Sequence, residues 1–346
     1  MHCDSLRAEA ARFLRRLRHR HLRLGTILHL VTEACDLTCP HCCRRGTASI
    51  ERDLSPAELD KILTTLPLLG PLELVILGGG EPFSRADLPE LAEVWASVCG
   101  TLAVPTNGQD CGRILATTEQ LAALRLRRLH VAVSFDGPEA AHDRHRNKLG
   151  AWHSARETLG KLLLLARTYP HLCVSTQWTL HPGEVAETLA AAATMAHRYG
   201  VGVDLEPLRN GLCNPTLTDP PGFAFELRSQ LGRVFELLAG AGPWNANSLL
   251  AFEKLRHQAF PHRWRFPRGC PAGRSIAVLY PDGRLAVCES RPPFADLRRE
   301  GFAFDKVWRG PAADLERLAT ETCHCTHGCF VLQALAEHAP RRWTDV

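Results

Sequence analysis

The 346-residue sequence predicts an α/β fold in which six strands alternate with helices, an incomplete relative of the eight-stranded TIM barrel. Short apolar runs recur between residues 26 and 209, and longer helical patterns separate them. Helix start signals lie between these runs, such as Ser55-Pro56 followed by Glu58. Because functional loops follow the strands in such folds, we expect the site at the carboxyl ends of the strands.

The individual elements follow from local composition. The predicted strands are Ile27–Val31, Leu72–Leu77, Leu102–Val104, Leu129–Phe135, Cys173–Thr179 and Val201–Leu205. The helices between them are predicted from Ser55, over Arg85–Val98, over Thr118–Leu124, near Trp152–Thr168 and over Gly183–Tyr199. Further elements are predicted beyond residue 209: helices over Phe223–Leu238 and Asn247–His257, and a hairpin of Ser275–Tyr280 and Arg284–Cys288 around a Pro-Asp-Gly turn.

Four regions follow from this pattern. We expect a basic helix over residues 1–25, a (βα)6 core over 26–209, a helical linker over 210–262 and a small cysteine-rich α+β module over 263–346. The basic helix is amphipathic, with arginines from Arg12 to Arg23 interleaved with apolar residues. A solvated helix face is the favoured interpretation, and binding to RNA or to an acidic partner is the alternative.

Composition narrows the class of protein. With 45% hydrophobic and 23% charged residues the chain can bury a large core, and its formal net charge of +4 does not imply nucleic acid binding. The most apolar stretch, Leu63 to Leu77, is interrupted by Pro67 and Pro71 and is unsuited to crossing a membrane. No apolar signal region lies at the N-terminus, so we expect a cytoplasmic protein.

Fourteen cysteines are too few for a disulfide scaffold in a chain of this length and more than packing requires. Five are scattered singly and are predicted to be structural: Cys3, Cys99, Cys111, Cys173 and Cys213. The others fall into two groups: Cys35, Cys39, Cys42 and Cys43 near the start, and Cys270, Cys288, Cys323, Cys325 and Cys329 near the end.

The first group has the spacing C-x3-C-x2-C over Cys35, Cys39 and Cys42, in a loop after the first predicted strand. Three thiolates on one compact loop can each ligate one iron of a [4Fe–4S] cluster, which leaves the fourth iron without a protein ligand. Zinc is the alternative, since His41 or Cys43 could complete a four-donor site.

This loop resembles the cluster-binding motif of the radical S-adenosylmethionine (SAM) superfamily, and the resemblance extends over residues 26–210. The run Gly78-Gly79-Gly80-Glu81-Pro82 is similar to the glycine-rich segment with which the family binds the amino group of SAM. Glycines allow backbone carbonyls to approach an ammonium group closely, and Glu81 can supply a compensating charge.

Two further motifs carry the resemblance. The run Pro105-Thr106-Asn107-Gly108 resembles the family's TNG turn, and Ser134-Phe-Asp136-Gly resembles its S-x-D-G strand end. The resemblance implies that Ser134 contacts SAM together with an arginine of the following helix, for which Arg156 is the candidate and Arg146 the substitute. For Asn107 and Asp136, turn chemistry is an equally good interpretation.

The ends of the fifth and sixth predicted strands carry Gln177 and Glu206, where the family closes its site around SAM and substrate. The implied reaction is reductive cleavage of SAM to a 5′-deoxyadenosyl radical that abstracts hydrogen from the substrate. The reduction implies an electron donor such as flavodoxin or ferredoxin as a partner.

The second group joins Cys270 and Cys288 across the hairpin, in the pattern C-x12-G-x4-C, to the later run Cys323-His-Cys325-Thr-His-Gly-Cys329. It resembles the C-terminal SPASM module or its shortened form, twitch. Five cysteines suffice for one auxiliary [4Fe–4S] cluster, held by Cys270, Cys288, Cys329 and either Cys325 or Cys323. Zinc is again the alternative, because four cysteines also suit tetrahedral coordination.

The expected function is therefore that of a radical SAM enzyme, an oxidoreductase or maturase. Relatives that modify peptides often carry a leader-binding domain of about eighty residues before the core. The 25 residues before the predicted core here are too few for such a domain. We therefore expect oxidation or another modification of a small molecule. Maturation of a ribosomally made peptide or of a partner protein is the alternative. A non-catalytic zinc-binding interaction protein is the alternative of another class.

Overall fold

A computed structural model describes residues 22–42, 53–66, 71–208, 222–240, 246–260, 270–320, 328, 330, 331 and 333. Its described part contains a sheet of nine strands. The strands are β1 Thr26–Thr32, β2 Leu74–Gly79, β3 Thr101–Thr106, β4 Arg128–Phe135, β5 Leu172–Leu180, β6 Gly202–Pro207, β7 Ile276–Leu279, β8 Arg284–Ala286 and β9 Ala295–Asp296.

The sheet order is β6-β5-β4-β3-β2-β1-β7-β8-β9, and all neighbours from β6 to β7 are parallel. Each of the first six strands therefore lies beside the strand that precedes it in the chain, as repeated βα units require. All six carboxyl ends meet at one edge of the sheet. The predicted α/β fold with a six-stranded, partial TIM-barrel-like core is confirmed.

Helices follow most of the parallel strands, and two more lie after β9. They are α1 Pro56–Leu63, α2 Leu88–Ala96, α3 Cys111–Ala122, α4 Glu139–Arg146, α5 Ala151–Leu165, α6 Val185–Tyr199, α7 Phe223–Ser229, α8 Leu231–Gly240, α9 Ala246–Ala259, α10 Phe304–Trp308 and α11 Pro311–Thr320. A short 3-10 helix, Pro82–Ser84, follows β2. None of the described helices is long and apolar enough to cross a bilayer.

The largest differences from the predicted helices concern α3, the pair α7 and α8, and the helices α4, α10 and α11, which were not predicted. Helix α3 begins at Cys111, before the predicted Thr118, because the Asp110 side chain accepts a hydrogen bond from the Arg113 N–H and caps the first turn. The single helix predicted from Phe223 is divided at Gln230 into α7 and α8. Helix α4 was not predicted, because its sequence is strongly polar.

The core lies between the sheet and these helices. Alternate side chains of β4 are fully buried there, ending with Phe135, whose ring stacks on Trp178 of β5 at 5.0 Å between centroids. On β1, His29 accepts a 3.0 Å hydrogen bond from the Trp95 indole of α2. Burying each large apolar side chain contributes about 1.5–3 kcal/mol, so the packing fixes the strand ends that carry the site.

The C-terminal hairpin joins the same sheet, because β7 pairs in parallel with β1 and antiparallel with β8. Its turn also contacts the start of α1: the Leu54 N–H donates to the Pro281 carbonyl at 2.6 Å. Arg298 forms a two-point ion pair with Glu58, at 2.8 and 3.0 Å. The boundaries of the four regions stay predictions, and the basic helix lies outside the described residues apart from residues 22–25.

Candidate functional site

The loop after β1 carries the first three cysteines. Within the described residues, Cys35, Cys39 and Cys42 are outside any disulfide and are respectively exposed, buried and half-buried. A backbone hydrogen bond from the Cys42 N–H to the Cys39 carbonyl, 3.1 Å long, closes a tight turn between the last two. The loop therefore places three sulfur donors within one short stretch of backbone at the carboxyl end of the sheet.

The surroundings of the loop raise the pKa values of two of these thiols. Burial, with smaller contributions from the nearby acids Asp36 and Glu81, raises the pKa of Cys35 to about 11. Burial likewise raises the pKa of Cys39. Both thiols are thus neutral in the metal-free protein, and a bound metal cluster would supply the positive charge that makes them thiolates. Three sulfur donors of this kind fit an iron–sulfur cluster.

The glycine run at the end of β2 lies directly against the start of this loop. The Gly80 N–H donates to the Thr32 carbonyl and the Glu81 N–H to the Ala34 carbonyl, both at 2.8 Å. A Cβ atom at Gly80 would lie 2.1 Å from the Ala34 oxygen, and one at Gly79 would lie equally close to the Thr32 oxygen. The close approach of the two segments therefore requires glycine at both positions.

Glu81 is a buried carboxylate that connects β2 to β3. It accepts hydrogen bonds from the Asn107 N–H at 2.7 Å, the Thr106 hydroxyl at 3.0 Å and the Phe83 N–H at 3.2 Å. Burial raises the pKa of Glu81 to about 7, although these donors favour the charged form. The observed contacts organise the two strand ends, and its predicted contact with an ammonium group stays a prediction.

Asn107 brings the TNG turn to the cysteine loop. Its side-chain amide donates to Asp36 Oδ1 at 2.6 Å and to Cys35 Sγ at 3.7 Å, while its oxygen accepts from the Gln109 N–H at 2.9 Å. The last contact is the turn chemistry that the sequence suggested. The first two show that the same side chain also fixes the loop that bears Cys35.

Asp136, at the end of the S-x-D-G motif, forms a buried ion pair. Its Oδ2 lies 2.5 Å from Arg146 Nε and 3.8 Å from His41 Nε2. Burial opposes ionisation of Asp136, but Arg146 outweighs burial and holds the pKa of the carboxyl well below its usual range. The Cys39 thiol donates to the Arg146 carbonyl at 4.0 Å. This pair thus connects β4 and α4 to the cysteine loop.

The remaining residues predicted to bind SAM lie at different distances from the cysteine loop. Arg156 lies over the Trp152 ring at 4.9 Å, so Arg146, the substitute, is the arginine that the structure places beside the loop. Ser134 and Gln177 are neighbours across β4 and β5 and are half-buried. Glu206 is buried at the end of β6. Their contacts with SAM stay predictions.

Three histidines near the loop were not predicted as a group. Nitrogens of His41, His145 and His181 lie within 4.8 Å of one another, and His145 also contacts Glu184 at 2.9 Å. The His145 and His181 rings are stacked, with centroids 3.5 Å apart and an angle of 9° between the ring planes. The lone pairs of their ring nitrogens therefore lie in parallel planes and do not point at one shared ion. Burial lowers the pKa of His181 to about 3. No local sequence signal connects residues so far apart.

The second cysteine group is described in part. Cys270 and Cys288 are buried thiols outside any disulfide, and the Cys288 sulfur accepts a hydrogen bond from the Ser290 N–H at 3.4 Å. Such N–H donors stabilise a thiolate that ligates a metal. The other predicted ligands, Cys323, Cys325 and Cys329, lie outside the described residues.

Residues 30–196 match the model of the radical SAM superfamily. This stretch is therefore similar to the radical SAM domain, a family whose members imply a [4Fe–4S] cluster and SAM as ligands. The matched stretch includes the cysteine loop, the glycine run and the ends of β3 to β5.

Two curated relatives illustrate the sequence similarity. The chain is 34% identical over 127 residues to the Fe-coproporphyrin III synthase of Methanosarcina barkeri, covering 36% of this chain and 30% of that protein. It is 30% identical over 182 residues to the PqqA peptide cyclase of Gluconobacter oxydans, covering 51% of this chain and 47% of that protein. The matches thus span less than half the length of these relatives.

Solved structures extend the similarity of fold. The structure of Streptococcus suis SuiB bound to S-adenosylmethionine matches with a TM-score of 0.61 and 13% identity, covering 94% of this chain and 77% of that one. Native anSMEcpe with bound AdoMet and Kp18Cys peptide also gives a TM-score of 0.61, and the match covers 93% of this chain and 98% of that one. The coverage shows that the shared fold continues beyond residues 30–196.

Proposed function

We propose that this protein is a radical SAM enzyme in which Cys35, Cys39 and Cys42 hold a [4Fe–4S] cluster that binds SAM. The observation that carries the proposal is the contact of this C-x3-C-x2-C loop with the glycine run of β2 and with Asn107 of β3. When bound there, the reduced cluster supplies the electron that cleaves SAM to a 5′-deoxyadenosyl radical able to abstract hydrogen from a substrate.

The chain's own residues position these groups. Glu81 and Asn107 hold the loop and the strand ends together through hydrogen bonds, and the Asp136–Arg146 pair buttresses Cys39 from the other side. The contacts predicted for SAM involve side chains and backbone at the same edge: Gly78, Gly79, Gly80, Glu81, Thr106, Asn107, Ser134, Asp136, Gln177 and Glu206, with Arg146 favoured over Arg156.

For the C-terminal cysteines we infer one auxiliary [4Fe–4S] cluster. Support comes from the burial of Cys270 and Cys288 at the base of the hairpin and from the Ser290 N–H that faces the Cys288 sulfur. Such a cluster could accept the electron left on a substrate radical, which suits an oxidation. Zinc bound by the same cysteines would instead make the module structural.

The proposed substrate is a small molecule in a biosynthetic reaction. A polar row, Ser134, Gln177 and Asp204, runs across β4, β5 and β6 at matching register, and each member is half-buried. These groups could hydrogen-bond a polar substrate near the cysteine loop. A peptide is the second candidate, because the PqqA peptide cyclase aligns with 51% of this chain.

The experiment is release of 5′-deoxyadenosine from SAM by anaerobically reconstituted protein with a strong reductant and no added substrate. We expect release by the wild type and none by Cys39→Ala, because the cluster would lose one of its three ligands. Cys173→Ala, which removes an exposed thiol of β5, is the matched control and should behave as wild type. Cleavage that persists in Cys39→Ala would refute the proposal.

A further inference from the structure

The connection from β1 to α1, which bears the first three cysteines, begins at an irregularity of the sheet. Leu30 of β1 lies opposite Gly78 of β2. Thr32 lies opposite the next residue, Gly79, so Val31 is an extra residue of β1 at this point. An extra residue of this kind bends its strand, and its backbone groups need partners outside the ladder. The direction in which the chain leaves β1 therefore depends on what contacts Val31.

A buried arginine donates to that extra residue. Arg85 is 5% exposed, and its Nη1 donates to the Val31 carbonyl at 2.7 Å. Its Nη2 donates to the Leu54 carbonyl at 3.0 Å. Val31 precedes the three cysteines in the chain, and Leu54 follows them, immediately before the Ser55 cap of α1. One guanidinium group thus joins the two ends of the connection.

Two aspartates hold the guanidinium group in this orientation. Asp87 accepts from Arg85 Nε at 2.8 Å and from Nη2 at 2.5 Å, a two-point contact that fixes the plane of the group. Asp53 Oδ2 lies 4.0 Å from Arg85 Nη1, and the Asp53 side chain is also buried. The charge of Arg85 is therefore compensated inside the protein, while two of its nitrogens also reach the backbone carbonyls.

The segment that follows the glycine run places Arg85 at this point. The short 3-10 helix Pro82–Ser84 turns the chain, and the Arg85 N–H donates to the Pro82 carbonyl at 3.1 Å. The backbone of Gly80 and Glu81 contacts the connection just after Val31, at Thr32 and Ala34. The same short stretch therefore contacts the connection both at its first residues, through backbone, and at its two ends, through the Arg85 side chain.

Arginine suits a bridge between two carbonyls. Residues 32–53 separate Val31 from Leu54, and ordering a connection of this length costs conformational entropy. A contact that holds both ends together offsets part of that cost. The planar guanidinium of Arg85 presents donors in fixed directions on three nitrogens, whereas lysine has a single nitrogen at the end of a flexible stem.

We propose that Arg85 is a positioning residue: it bridges the Val31 and Leu54 carbonyls and so sets the backbone of the cysteine loop that binds the cluster. The inference rests on the proposed function only in assigning a cluster to this loop, because the bridge is already present in the metal-free chain. Groups that hold metal ligands in position commonly change metal affinity about 10- to 100-fold when removed.

The experiment uses the full chain carrying Cys288→Ala, so that bound iron reports on the first loop. Into this parent we introduce Arg85→Ala, Arg85→Lys or, as the matched control, Arg113→Ala. Arg113 also pairs with an aspartate, Asp110, and donates to a carbonyl, that of Ser84, at 3.3 Å. Its side chain is 54% exposed, however, and it contacts neither end of the connection.

The first measurement is amide hydrogen exchange of peptides covering residues 31–42 in the metal-free proteins, with residues 128–135 of β4 as the test of an intact fold. Exchange should be about 10-fold faster in Arg85→Ala, because two hydrogen bonds from a charged group are lost. Arg113→Ala should match the parent. Methylguanidinium, which restores a planar donor group, should slow the exchange of Arg85→Ala, and ammonium should not.

Arg85→Lys separates the bridge from the charge. The lysine keeps a cation beside Asp87, so the free energy of unfolding in urea should stay close to that of the parent. One nitrogen cannot bridge both carbonyls and pair with Asp87, so exchange over residues 31–42 should still be about 10-fold faster than in the parent. If Arg85→Ala fails to fold, this variant still decides the question.

The second measurement is the rate at which a chelator removes iron after anaerobic reconstitution with iron and sulfide. Iron should leave both Arg85 variants about 10- to 100-fold faster than the parent, and Arg113→Ala should match the parent. A parent that takes up no iron would overturn the proposed function, and the exchange data would then decide the bridge by themselves. Iron uptake by the parent, with exchange and iron release unchanged in Arg85→Lys, would overturn the role of Arg85 alone.

Discussion

The two cysteine regions are held in place by contacts of different range. The loop of Cys35, Cys39 and Cys42 follows β1 and is contacted by the ends of β2, β3 and β4, which the strand order brings to the same edge. Of the second region the structure describes Cys270 and Cys288, which flank the hairpin beside β1, and Gly328, whose N–H donates to Glu206. The order of the strands thus brings the surroundings of the first loop together, whereas the described residues of the second region lie far apart in the sequence.

Two ends of the parallel strands nevertheless carry a buried ion pair. Asp136 with Arg146 lies at the end of β4, and Glu206 with Lys254 lies at the end of β6. In each, removing one member leaves an opposite charge without compensation in a place with little water. The comparison therefore predicts that variants of buried pairs cause large losses, and that variants of exposed pairs nearby cause small ones.

The largest effect is expected for Arg146→Met. The change leaves Asp136 buried without its cation, so the free energy of unfolding should fall by about 3–5 kcal/mol. Arg144→Met on the same helix is the control, since Arg144 is 58% exposed in its pair with Glu184 and such pairs contribute about 0–1 kcal/mol. Urea unfolding of the metal-free proteins measures both. Equal losses in the two variants would mean that the Asp136–Arg146 pair is not a support of the first site.

A smaller, pH-dependent effect is expected where the hairpin meets α1. Hydrogen bonds from Arg298 hold the pKa of Glu58 at about 2, below its ordinary value of 4.5. A carboxyl with a lowered pKa stabilises the fold above its ordinary pKa, and that stabilisation is lost as the pH falls from about 4.5 towards 2. Arg298→Leu should therefore cost about 1 kcal/mol at pH 7 and progressively less below pH 4.5.

Urea unfolding at several pH values checks this prediction, with Arg299→Leu as the control. Arg299 is 87% exposed in its pair with Asp296, so its removal should have little effect at any pH. A cost of Arg298→Leu that stays constant between pH 7 and pH 3 would contradict the role given to the Glu58 carboxylate. The hairpin would then be held to α1 chiefly by the backbone contact of Leu54 with Pro281.

The sequence predicted the elements whose signals lie between residues that are close together in the chain. Alternating apolar runs located the strands β1 to β6, and the Pro-Asp-Gly turn located the hairpin, because these signals lie within one element. The early start of α3 was not predicted. Asp110, which caps this helix, lies two residues after the TNG turn, so its sequence is equally typical of the turn. The cysteine spacing predicted three sulfur donors on one short loop, which the structure shows, and the metal that they bind stays a prediction.

Contacts between distant elements were not predicted. Lys254 looks in sequence like an ordinary solvated helix residue, and only the packing of α9 against β6 shows that it is buried beside Asp204 and Glu206. Likewise, the choice between Arg146 and Arg156 depends on the direction of α4, which positions Arg146 against Asp136. Such pairings follow from tertiary packing, which local patterns do not encode.

The most direct test of the account is the iron and acid-labile sulfide content of three anaerobically reconstituted proteins. The wild type should bind about eight irons per chain, and both the Cys35/Cys39/Cys42 triple alanine variant and Cys288→Ala should bind about four. Circular dichroism of the variants must match that of the wild type. Of the two variants, only Cys288→Ala should still release 5′-deoxyadenosine from SAM, as the wild type does. Stoichiometric zinc in place of iron at both sites, or equal iron in all three proteins, would contradict the account.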